Sequence, residues 1–245
     1  MDALTLFADS VYRQIFEFVA AITAIGLVVM ALIQSFKDMF PLRRLFHRRF
    51  VHAWMTHKAR DHGARAGMTP HADSAYEDLI QLATTGDEHA LFDLPIEQLC
   101  GQAAAAAAQS LDYPSRHEHL LRCLAASADP ADVDLVITAE QQERSEVETA
   151  AGKTRMALVD ARTRVMHQVQ RSIDALQIAG GYRWKWYMQL LAFSLSYVLT
   201  VTAVLFANSS DSFGRRMLMA VPLGLVGGFV APVARDLVAT WTKRA

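Results

Sequence analysis

A chain of 245 residues with 52% hydrophobic and 20% charged side chains has a formal net charge of −1, but that near-neutrality conceals a partition. Residues 70–160 carry 17 acidic against five basic side chains, a net of −12; such a surface repels phosphate backbones and excludes nucleic acid as a partner. The two cysteines, Cys100 and Cys123, form no CxxC, which removes the thiol-redox and zinc motifs built on that spacing.

In chain order, the first feature is Phe18 to Phe36, 19 residues without a charge, bounded by Glu17 and Lys37. No basic region precedes it and it exceeds a signal-peptide apolar core, so it is expected to remain in the chain as a signal anchor. At about 1.5 Å per residue it matches a hydrocarbon core of about 30 Å.

Residues 37–66 follow with eight basic side chains against Asp38 and Asp61. Pro41 precedes a helical pattern in which Leu42, Leu45, Phe46, Phe50, Ala53 and Trp54 oppose a basic face. Two arrangements are open for it: flat in the membrane interface, or packed on the rest of a domain. Further helices are expected from a capping box at Ser74 and Glu77, with a stop at Gly86, and from Pro95 and Pro114 at first-turn positions, the latter capped by Asp112 or Ser115. Six consecutive alanines, Ala103 to Ala108, favour close approach by another helix. From Asp129-Pro130 one long helix is expected, with a break near Gly152. Val159, Met166 and Ile173 recur every seven residues with Val169 and Leu176 as a second row, which Arg162 interrupts. That seam fits packing within one subunit or between two. The pair Gly180-Gly181 then suggests a hinge.

Tyr182, Arg183, Trp184, Lys185, Trp186 and Tyr187 interleave aromatics with cations immediately before Met188 to Ala207, 20 residues without a charge. Aromatic rings with polar handles prefer the headgroup level and cations snorkel from it, so this cluster is a membrane-interface anchor in front of a second span. Base stacking would use the same residue types, but the adjoining span decides against it. Gln189, Ser196 and Thr200 project to one side of the span as a candidate polar face, for hydrogen bonds between helices or a narrow polar path.

A third uncharged run covers Met217 to Ala234. Ala220, Gly224, Gly228 and Pro232 fall every four residues along it, a smooth stripe suited to helix packing in lipid. Arg235 and Asp236 form an adjacent charge pair at its end, read as a snorkelling interfacial pair, an interhelical salt bridge or a pore mouth, and Trp241 marks the following interface.

Chemistry is sparse. His47, His52, His57 and His62 recur every five residues and do not share a helix face, and no HExxH, Walker-type loop, nucleophile elbow or dinucleotide fingerprint occurs. No catalytic residue, metal or cofactor is expected. The positive-inside rule puts the basic flanks in the cytoplasm, giving an outside N-terminus and a cytoplasmic C-terminus.

The expectation is therefore an all-α, multi-pass protein of the bacterial inner membrane: residues 1–36 as tail and first span, 37–181 as an α-helical cytosolic domain between the first and second spans, and 182–245 as anchor, second and third spans and tail. Expected partners are anionic lipids of the inner leaflet, a second copy in a homo-oligomer, and a cytosolic protein. Three functions are weighed: a non-enzymatic channel or membrane-perturbing effector whose domain senses or docks a ligand, an anchor or accessory subunit that recruits a cytosolic protein, and, with least support, a membrane-bound enzyme.

Overall fold

The computed structural model describes residues 2–143 and 153–207, together with Leu218 and Val221. Among these residues all regular structure is helical: α1 (Asp2–Met39), α2 (Leu42–Ala66), α3 (Ala72–Thr84), α4 (Glu88–Asp93), α5 (Ile96–Asp112), α6 (Glu118–Leu124), α7 (Pro130–Glu143) and α8 (Lys153–Ala207). The all-α expectation holds. The chain divides into two compact units, one of residues Pro41–Arg183 and one of Met1–Phe40 with Trp184–Ala245.

Local chemistry sets most boundaries. Pro41 disfavours helical dihedrals in the residue before it and ends α1, while its carbonyl accepts from Leu45 N at 3.1 Å to open α2. Gly67 closes α2 in the left-handed region (φ 72°) and returns its N–H to Gly63 O at 3.0 Å. Thr85 and Gly86, at φ 53° and 96°, end α3 in the same way at the expected stop. Asp87 caps α4 by accepting from Ala90 N at 2.9 Å, and Asp129 caps α7 by accepting from Ala131 N at 3.0 Å.

Two expected starts are corrected. The box at Ser74 and Glu77 does not cap α3, because Ala75 N already donates to His71 O at 3.0 Å and places Ser74 inside the first turn. Pro114 opens a turn rather than a helix: Arg116 N and His117 N both donate to Tyr113 O, and α6 begins at Glu118. Asp112 instead closes α5, and its carboxylate accepts from Arg162 at 2.5 Å.

The unit of residues 41–183 holds one core, to which α2 through α8 all contribute. Met55, Leu79, Phe92, Leu99, Leu121 and Leu124 are among its fully buried side chains. Along α5 the buried positions Leu99, Ala103, Ala106, Ala107 and Leu111 follow helical spacing, so Ala103, Ala106 and Ala107 of the alanine run face the interior while Ala105 is exposed. From α8 the core takes Ala161, Val165, Val169, Ile173 and Leu176. The seven-residue seam is thereby split: Ile173, Val169 and Leu176 point inward, whereas Val159 and Met166 are exposed. A stripe at 3.6 residues per turn drifts across a strict seven-residue repeat, and the inward row at the start of α8 runs through Ala161 and Val165 instead.

The open question over α2 is resolved by burial. His47, Phe50, Val51, Met55, Ala59 and His62 are buried within the unit, and the basic face of α2 is paired with acidic side chains of α3 and α4. Arg44 makes a bidentate pair with Asp93, Arg48 meets Glu88 at 2.8 Å, and His52 meets Asp73 at 3.0 Å. Leu45 and Ala53, expected on the apolar face, are exposed instead.

In the other unit, Val29 of α1 and Ala192 of α8 are buried together, with Ile33, Leu195 and Leu199 packed against them.

Candidate functional site

The residues with the clearest physical assignment lie on α8. It continues without interruption through Gly180-Gly181 to Ala207, and among the described residues it is the one helix long and apolar enough to cross a membrane. Of the three expected spans, one therefore meets that test. The first expected span lies within α1, which contains a shorter apolar stretch, Gly26–Phe36. The third lies outside the described residues except for Leu218 and Val221, both exposed.

Apolar side chains of α1 and of the C-terminal part of α8 face outward. Leu27, Val28 and Phe36 of α1 and Leu190, Leu191, Val198 and Phe206 of α8 are exposed, Phe206 at 85%. Patches of this kind mark an apolar environment or a partner.

At the start of this stretch Tyr182, Trp186 and Tyr187 are exposed, with the last two rings in edge contact at 5.4 Å. Lys185 is exposed and Trp184 half-buried. Arg183 lies over the Phe50 ring at 5.4 Å, a cation–π contact inside the domain unit. Of residues 182–187, Arg183 thus contacts the domain, and the others stand at the entry to the apolar segment.

Gly180 serves close packing. A Cβ there would lie 2.8 Å from Phe50 Cε1 and 2.9 Å from Ile96 Cδ1, so any larger residue would force these side chains of α2 and α5 to shift. The helix is regular across the pair, and Gly180 is a point of close contact with side chains of α2 and α5.

Ser196 and Thr200 of the candidate polar face are buried in the same row as Ala192, and Gln189 is half-buried. Thr200 Oγ1 donates to Ser196 O at 2.8 Å, within its own helix, while Ser196 Oγ is buried without a partner among the described residues. Small side chains at 192, 196 and 200 suit close helix packing. Ala220, Gly224, Gly228, Pro232, Arg235, Asp236 and Trp241 lie outside the described residues.

His47 is buried and its Nδ1 sits 3.1 Å from Phe92 O, which fixes the tautomer that donates there; burial lowers its pKa. His62 is also lowered, first by burial and then by the neighbouring Arg122 guanidinium. Arg122 itself is 6% exposed. It ties α6 to α7 through Asp134 at 2.7 Å and pairs along its own helix with Glu118 at 2.8 Å. His117 Nδ1 stands 3.2 Å from Asp78, near enough for an ion pair but not aligned for a hydrogen bond. Burial pushes the thiols of Cys100 and Cys123 up to about 12, which keeps both protonated and unreactive. No group of three or more His, Cys, Asp or Glu side chains that could hold a metal occurs among the described residues.

One surface escaped sequence reasoning. A shallow groove of about 360 Å³ runs between the C-terminal end of α5 and the N-terminal part of α8. Ala108, Leu111, Val159 and Met166 form its apolar floor, and Arg162 and Asp112 its charged rim. The only sequence signal was the seven-residue interval between Val159 and Met166; the groove itself requires two helices far apart in the chain. Comparison of the chain with protein-family models, with curated proteins and with solved structures finds no match.

Proposed function

We propose that this chain is a non-enzymatic, multi-span protein of the bacterial inner membrane. It self-associates, and its acidic helical domain receives a protein or small ligand whose binding is transmitted along α8 to the membrane segments, as in a channel or membrane-perturbing effector. Three spans, with the N-terminus outside and the C-terminus cytoplasmic, belong to this reading, as do anionic inner-leaflet lipids around Lys185.

The observation that carries it is the course of α8: one helix of 55 residues that supplies both the domain core, through Val165 to Leu176, and the outward-facing apolar residues from Leu190 to Phe206. A helix with that division has one end suited to water and one to lipid. The net charge of −12 over residues 70–160 favours a second reading, a passive anchor that captures a basic cytosolic protein.

Ion flux through vesicles reconstituted with the full-length protein separates the two. Flux above that of protein-free vesicles supports the effector reading, and tight vesicles holding correctly oriented, oligomeric protein support the anchor. Recovery of the protein in the soluble fraction after alkaline carbonate extraction would overturn both.

A further inference from the structure

We infer that the exposed strip Met156, Val159, Thr163 and Met166 of α8 is the contact through which two copies of this chain pair, in parallel, as a short two-stranded coiled coil. The inference rests on the membrane and self-association readings above and names the surface they would use.

Two faces of α8 are apolar at its N-terminal end. One, Ala161, Val165 and Val169, is consumed by the domain core. The other is left over: Met156 is 73% exposed, Val159 57% and Met166 38%. Their positions alternate by three and four residues with Thr163 between them, the a and d spacing of a coiled coil. Assigning Met156 and Thr163 to a, and Val159 and Met166 to d, places Arg155 and Arg162 at g and Asp160 and His167 at e.

Charge then selects the occupant and its direction. In a parallel pair, a g residue faces the e residue five positions further along the other helix. Arg155 of each copy thus meets Asp160 of the other, two opposite-charge pairs from one symmetry axis. The next g residue, Arg162, faces His167 with Asp112 of its own chain 2.5 Å away to balance the charge. An antiparallel pair would set g against g and e against e, so that Arg162 meets Arg162, Asp160 meets Asp160, and neither arginine has an acidic e partner. Parallel is also the direction imposed when the apolar half of α8 in each copy lies in the same bilayer.

Two heptads are too short to hold two free helices together in water. A shared membrane supplies the missing association by raising effective concentration, and the floor of the groove, Ala108 and Leu111 of α5, extends the contact beyond the seam.

The test uses the full-length chain in nanodiscs with Thr163→Cys at an a position and Ala157→Cys, exposed on another side of α8, as comparison. Cys100 and Cys123 are buried and do not compete. Copper-phenanthroline oxidation is expected to give cross-linked dimers from Thr163→Cys and at least about fivefold less from Ala157→Cys. Arg155→Glu or Asp160→Arg in the Thr163→Cys background is expected to lower the yield by a similar factor, and the two together to restore it. Circular dichroism checks that each variant retains its helices. Equal yields at 157 and 163, or an oligomeric mass without cross-linking at 163, would overturn this interface while leaving self-association standing; a monomeric mass would remove both.

Discussion

Gly180 of α8 faces Phe50 of α2 with no room for a methyl group between them: a Cβ would sit 2.8 Å from the ring edge and 2.9 Å from Ile96. Its neighbour Gly181 has its nearest side-chain atom, in Ile96, at 4.0 Å from the same construction. Alanine is favoured over glycine in a helix by about 1 kcal/mol, whereas overpacking a core costs about 1–3 kcal/mol. Gly181→Ala is therefore expected to raise the melting temperature and Gly180→Ala to lower it. A hinge would instead be impaired by either change. Thermal unfolding followed by circular dichroism reads the difference, and equal shifts for the two variants would refute the packing role.

Among the described residues of the domain, Arg122 is a buried cation with Glu118 and Asp134 as partners. Arg122→Ala leaves a cavity and two unpaired carboxylates, one of them, Asp134, 53% exposed. Solvent reaches that carboxylate, so the loss is expected below the figure for a fully buried pair, about 2–3 kcal/mol. Asp134→Asn keeps the shape and the hydrogen-bonding oxygen and is expected to cost under about 1 kcal/mol. Chemical denaturation of both variants checks the order; a larger loss from Asp134→Asn would contradict it.

Acid should weaken the domain through His47 and His62. Both have pKa values lowered in the folded state, chiefly by burial, so the unfolded chain binds more protons near its ordinary value of about 6.5. Stability is then fully present above that value and falls as pH drops below it, by at most about 1.4 kcal/mol per unit for each histidine. The expected result is a lower melting temperature at pH 5.5 than at pH 7.5, with a smaller difference in the His47→Gln/His62→Gln variant. An unchanged difference would assign the pH response to other groups.

Cys100 and Cys123, with thiols raised to about 12 by burial, are expected to resist maleimide at pH 7.5 in the folded protein. Both should react after denaturation. Rapid labelling of either in the native state would mean that the core around α5 and α6 opens readily.

Ser196 Oγ is buried without a partner among the described residues, so Ser196→Ala is expected to be neutral or slightly stabilising. Any flux through reconstituted vesicles should survive it. Abolished flux with unchanged assembly would instead make this hydroxyl part of a polar path.

The parts of the fold legible in the sequence are those governed by short-range chemistry. Pro41, Pro95 and Asp129-Pro130 act on dihedrals and hydrogen bonds within a turn, and each stands at the start of a helix. The alanine run is equally local, since its small side chains allow close packing wherever the helix turns inward. Facing is different. Val159 and Ile173 carry the same apolar pattern, but only the second meets the core, because Ala161 and Val165 occupy the inward positions where α8 begins. Ser74 and Glu77 had the composition of a cap without its place, the first bond of α3 having formed at His71. The groove was hidden for the same reason: Leu111 and Met166 become neighbours only through the packing of α5 on α8. The cluster at 182–187 was read from the adjacent apolar run, and its place at the entry to that run follows from chain order alone.

The inward face of α5 has a thermodynamic consequence. Ala103, Ala106 and Ala107 have no rotamers to freeze, so bringing this helix to the middle of the domain costs almost no side-chain entropy, where a leucine or isoleucine at each position would cost roughly 0.5–1 kcal/mol. Those methyl groups bury little area in return, and the helix depends on neighbours such as Leu121 and Leu176 to fill the space beside it. The centre of the domain is thus inexpensive to order but sensitive to volume: a larger residue at Ala106, which is 0% exposed, has nowhere to go.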